Sequence, residues 1–222
     1  MADRTTRLYA APLRIDVTVR HGIPRVVPLA RVCGAIRAAA LAAGTPIPAS
    51  VGLVLTDDEE LAGLNRAHMG RRGPTDVLSF PLLPPESFGG GGPGGRRRGG
   101  RGAEASSAHD GNRSIGQGPS RAEGRQATVP STGPFRLPPG VRVSLGDIAV
   151  SVERAIAQAR KGRGGRDPRT SWDARDELLL LVIHGTLHLC GWGHAEPEGA
   201  AAMRALERRL LAEGRATSRR PA

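Results

Sequence analysis

A chain of 222 residues is long enough to bury a core, and its two cysteines, Cys33 and Cys190, form no CxxC and no disulfide framework. That excludes a disulfide-stapled secreted module; the start MADRTTRLYAAPLR has no apolar signal core and no run has the roughly eighteen apolar residues of a membrane span, so a cytoplasmic protein without a membrane partner is expected. The net charge of +11, with Lys161 the single lysine among 32 basic residues, favours a polyanionic partner over a small neutral substrate.

LRIDVTVR, 13–20, alternates apolar and polar positions with β-branched types and predicts a half-buried strand. VVPLARVCGAIRAAALAA, 26–43, changes to helical period, with Leu29, Val32, Cys33, Ile36 and Ala40 on one face, and GTPIP stops it. SVGLVLT, 50–56, reads as a second strand. TDDEELAGLNRAH then opens a helix with Thr56 as its N-cap and Glu59 as the capping-box partner three positions on. TDVLSF, 75–80, is a strand ended by Pro81, and RVSLGDIAVSV, 142–152, is another that runs into the helix VERAIAQAR.

Between those two strands, residues 84–140 include GGGGPGGRRRGGRG and AEASSAHDGNRSIGQGPSRAEGRQ, with almost no apolar side chains to offset the entropy of ordering. They read as a disordered insert, and residues 86–138 as dispensable for folding. Loop-closure entropy grows slowly with length, so a strand connection tolerates such an insertion. Residues 1–83 and 141–222 then make one domain, completed by the helices WDARDELLLLVIHGTLHLC, 172–190, and EPEGAAAMRALERRLLAE, 196–213. The element order predicts a single α/β (α+β) domain, a mixed sheet flanked by helices.

HGTLHLCGWGH, 184–194, holds three of the six histidines directly after the apolar run Leu178–Ile183, which predicts a central, buried helix. His184 and His188, four apart, share one helix face with Cβ atoms about 6 Å apart, the spacing with which HExxH helices chelate zinc. Gly191 and Gly193 follow, and a glycine in the left-handed conformation would turn the chain so that His194 comes back to the same point. Three imidazoles and an open position form the donor set of one catalytic zinc ion. A chance cluster of core or surface histidines is the weaker reading for this pattern. Cys190 is a fourth ligand or, two residues after His188 and off its face, a packing residue. Gly185 stands where HExxH has its general base, so peptidase chemistry is disfavoured.

HGTLHLCGWGH resembles the HGxLHLxGxDH signature of the YbeY family of endoribonucleases and rRNA maturation factors. LNRAHMGRRGPTDVLSFP, 64–81, resembles that family's LNxxxRxxxxPTDVLSFP, and LGDIAVS, 145–151, its GDI strand. The resemblance implies zinc held by His184, His188 and His194 on a zincin-like helix, and cleavage of single-stranded RNA. It further implies a role in 16S rRNA 3′-end maturation and ribosome quality control, with rRNA and the small ribosomal subunit as partners. A basic protein with an open metal position suits phosphodiester cleavage. Met69 stands where the family has arginine and Gly193 where it has aspartate. Arg71 or Arg72 is the candidate substitute for that arginine. Asp76 and Asp147 are candidate carboxylates behind the ligands or structural turn residues, Ser79 is structural, and His68 is a surface residue. The alternative function is a non-catalytic rRNA-binding assembly factor with a structural zinc.

Overall fold

The computed structural model describes residues 2–73, 75–89, 138, 141–161, 172–193 and 196–217. Five strands form one mixed sheet: β1 (Arg4–Ala10), β2 (Leu13–Val19), β3 (Ala49–Thr56), β4 (Val77–Pro81) and β5 (Val143–Ser151), in the order β1-β2-β3-β5-β4. β2, β3 and β5 run parallel, and the two edge strands pair antiparallel. The helices are α1 (Leu29–Ala42), α2 (Asp58–Met69), α3 (Val152–Lys161), α4 (Ala174–Leu189) and α5 (Pro197–Thr217). The α/β expectation with a mixed sheet and flanking helices holds.

Alternation decides which side each helix covers. Leu13, Ile15, Val17 and Val19 of β2 and Val51, Leu53 and Leu55 of β3 turn to one face, where they meet Val32, Ile36 and Ala40 of α1 and the apolar body of α4. Leu78 of β4 and Ala149 of β5 turn to the other face and pack on Leu61 of α2. Thus α4 lies inside the larger core, between the sheet and α1, α3 and α5, while α2 closes a smaller one.

Three local expectations change. β1 was not anticipated: RTTRLYA mixes two arginines into an edge strand whose residues are at most half-buried, so its hydrophobic signal is weak. The N-cap of α2 is Asp57, which accepts the N–H of Glu60 at 2.8 Å, while the buried Thr56 donates its hydroxyl to the Glu60 carboxylate. The N-cap thus lies one residue after the Thr56 that the capping pattern predicts. Of the predicted insert 84–140, residues 84–89 are folded: Pro85–Ser87 form a 3-10 turn, Phe88 is buried in the core, and the Gly89 N–H donates to the Gly44 carbonyl at 3.0 Å. Pro138 is described as well, and the rest of the insert lies outside the described residues. Among the described residues no helix is long and apolar enough to cross a membrane.

Candidate metal centre

α4 starts on a capping box. Asp173 accepts the N–H groups of Arg175 and Asp176 at 2.8 and 3.1 Å, and Asp176 accepts the Asp173 N–H in return. From Glu177 to Cys190 every residue is buried except Leu180, His184 and His188, which are spaced by four and form one partly exposed stripe. Helical period therefore delivers the two imidazoles to the same edge of a helix otherwise locked in the core.

The rings meet edge to face, with centroids 4.5 Å apart and planes at 82°. Their outward nitrogens are fixed: His184 Nδ1 lies 2.7 Å from Glu207 Oε1 and His188 Nδ1 lies 2.8 Å from the Trp192 carbonyl oxygen. A carbonyl is acceptor-only, as is an ionised carboxylate, so each Nδ1 donates, which leaves the lone pairs on the two Nε2 atoms. These atoms face one another at 3.0 Å. With both rings neutral, two lone pairs at that distance repel, and a cation bound by both nitrogens would remove the repulsion. By donor type, tautomer and convergence the pair fits a zinc-type ion. His194 lies outside the described residues, and among the described residues no third histidine, cysteine, aspartate or glutamate completes a metal-holding group.

Glu207 was not anticipated. It projects from α5 among the buried Met203, Leu206, Leu210 and Leu211 and is itself 8% exposed. Its one sequence signal is phase: in MRALERRLL it is the charged residue that falls on the apolar face of the helix. A buried carboxylate needs a partner, and His184 is that partner.

Two glycines set the backbone. A Cβ on Gly185 would approach Ile148 Cγ2 to 2.8 Å and Val77 Cγ2 to 2.9 Å, so α4 lies too close to β4 and β5 for a side chain to fit there without a shift. The Gly185 carbonyl accepts the Ser79 hydroxyl at 2.9 Å, the structural use expected of Ser79. Gly191 has φ +80° directly after α4, and a Cβ there would approach Pro85 Cα to 2.9 Å. The turn that leads towards residue 194 is thus seated on the 3-10 turn after β4.

Asp147 lies over Gly52 of β3, on the sheet face opposite to the one where its neighbour Ile148 meets Gly185, so it does not stand behind the histidines. Asp76 accepts from Gln158 Nε2 at 3.1 Å, and its carbonyl accepts the Ser151 N–H, which ties the start of β4 to α3 and β5. Arg71 and Arg72 are exposed on the loop after the left-handed Gly70, and Asn65 Nδ2 fastens that loop to the Gly73 carbonyl at 3.0 Å. Met69 is 44% exposed beside them. His68 is exposed, edge-on to Phe80 at 5.2 Å. Cys190 is 1% exposed and lies 3.4 Å from Thr45 Oγ1; burial, against the opposing Thr45 contact, pushes its thiol up to about 11. It packs inward, away from the histidine stripe.

Residues 30–215 match the family model described as Endoribonuclease YbeY. Among curated proteins of that name, one from Symbiobacterium thermophilum is 32% identical over 170 residues, 77% of this chain and 74% of its own length. One from Salinispora tropica is 32% identical over 172 residues, 78% of each chain, and one from Roseiflexus sp. is 33% identical over 165 residues, 74% of this chain and 69% of its own. With the match running through α2, the TDVLSF strand, α4 and Glu207 of α5, the chain belongs to the YbeY endoribonuclease family.

Proposed function

We propose that the protein is a metal-dependent endoribonuclease that cuts single-stranded RNA, with one zinc ion held by His184, His188 and His194, and that its substrate is the 3′ region of 16S rRNA during maturation and quality control of the small ribosomal subunit. The observation that carries this reading is the convergence of two Nε2 lone pairs at 3.0 Å, each set by an acceptor at the far side of its ring. The names of the curated relatives support RNA as the substrate class. When bound by these histidines, such an ion would supply Lewis-acid polarisation of a phosphoryl oxygen. The chain's own residues do the rest: Glu207 and the Trp192 carbonyl hold the imidazoles in register, and Gly185 keeps α4 against the sheet. Arg71 and Arg72, on the loop fastened by Asn65, supply positive charge to an RNA phosphate. Gly185 offers no proton acceptor after the first histidine, which sets the site apart from HExxH peptidases.

The test is cleavage of a labelled single-stranded RNA by zinc-loaded protein, with His184→Ala as control. Cleavage that survives in His184→Ala removes the metal-site assignment. Met69, in the place of the family's arginine, favours the second reading, an rRNA-binding assembly factor with a structural zinc. RNA binding and zinc content without any cleavage would select it.

A further inference from the structure

α4 and α5 meet along a seam with two polar rungs. His184 bonds Glu207 at 2.7 Å, and Arg215 pairs with Asp176 at 2.6 Å. Asp176, Leu180, His184 and His188 are the partly exposed stripe of α4, so the Arg215 rung marks which side of α5 lies along the histidine edge. On α5, Arg204, Arg208 and Arg215 are separated by four and seven residues and fall within about 40° of one another around a 3.6-residue helix. Arg204 and Arg208 thus emerge on the same side as Arg215, one turn before Glu207 and directly after it. Both are exposed, and among the described residues neither has a carboxylate partner. Arg209 differs: it is turned away from the stripe and pairs with Glu213 of its own helix at 3.8 Å.

We propose that Arg204 and Arg208 form a phosphate-binding rail along the rim of the histidine site, where they hold the backbone of single-stranded RNA. The proposal rests on the endoribonuclease reading for its ligand. Two guanidiniums without a carboxylate partner among the described residues suit a polyanion, since a planar fork matches a phosphate oxygen pair. Phosphate contacts of this kind position the chain without reading its sequence.

The experiment uses the full chain and a short 2′-O-methyl RNA that resists cleavage, with affinity measured against salt. Each phosphate neutralised on a single strand contributes about 0.7 to the slope of log affinity against log salt. The double variant Arg204→Gln, Arg208→Gln should therefore lose about 1.4 from that slope, which between 50 and 200 mM salt is about a sevenfold smaller fall in affinity than in the parent. Arg204→Lys with Arg208→Lys should keep the slope, and Arg209→Gln should leave it unchanged, with zinc content equal in all. An unchanged slope in the Gln double variant, or an equal loss in Arg209→Gln, overturns the rail. If the parent cuts no cleavable RNA while the slope difference persists, the nuclease reading falls and the contact stands. If cutting is intact and the slope does not move, the contact falls alone.

Discussion

At the scale of single residues, the histidines depend on what holds their far sides. His188 is aimed by a backbone carbonyl that no substitution removes, whereas His184 is aimed by the Glu207 side chain. Losing such a partner costs roughly 10- to 100-fold in metal affinity. Glu207→Ala should therefore weaken zinc binding by that factor in competition with a chelator, and Glu207→Gln, which keeps an acceptor oxygen, should weaken it less. Equal affinity in all three proteins would mean that Glu207 only fills space. Met69 gives a second prediction. A charge-assisted contact to phosphate is worth about 1.5 to 3 kcal/mol, or roughly 10- to 150-fold in rate where it is made in the transition state. Met69→Arg should raise RNA cleavage towards that range; if instead it changes little and Arg71→Ala with Arg72→Ala abolishes cleavage, the neighbouring arginines already perform the task.

At the scale of elements, α4 is held by contact as much as by composition. Gly185→Ala places a methyl group 2.8 Å from Ile148 and 2.9 Å from Val77, and overpacking of this kind costs about 1 to 3 kcal/mol. Denaturant unfolding of the variant should show that loss, while a variant as stable as the parent would mean that the helix lifts freely from the sheet. α2 carries a pH-dependent tie. Hydrogen bonds from the Arg20 guanidinium, and then from Thr56, hold the Glu60 carboxyl below its ordinary value of 4.5, against the opposing effect of burial. The folded state thus binds that proton less readily than the unfolded chain. The contribution is complete above the ordinary carboxylate range and is lost as pH falls through the lowered folded value. Glu60→Gln should flatten the acid limb of the stability curve, and parallel curves for the two proteins would sink the linkage. What was legible in the sequence follows from these elements. Periodicity marked β2, α1 and β3, because each is buried on a regular set of positions, and an unbroken apolar run marked α4. It missed β1, an edge strand with half its positions in water. The histidine pair was legible because four residues on a helix is a geometric statement in itself. Its partner Glu207 lies 23 residues on, in another helix, and only packing of α5 on α4 brings it there.

For the whole molecule, composition points to the connection between β4 and β5 as the place where length is tolerated. The two strands pair antiparallel from Val77↔Val150 to Pro81↔Gly146, and the chain beyond is already anchored by Phe88 in the core. Replacing residues 90–137 by a short Gly/Ser linker should leave the melting temperature and zinc content unchanged. It should also lower the salt dependence of RNA binding, since the segment holds eight arginines against the three acids Glu104, Asp110 and Glu123. Unfolding of the shortened chain would make the segment structural. The close approach of α4 to the sheet also reaches into descent. One nucleotide separates some glycine codons from glutamate codons, so mutation at position 185 readily writes a histidine–glutamate pair into this helix. The folded protein has no room for the side chain between α4 and the two strands beneath it. The spacing between α4 and these strands thus opposes the very substitution that one codon change would write.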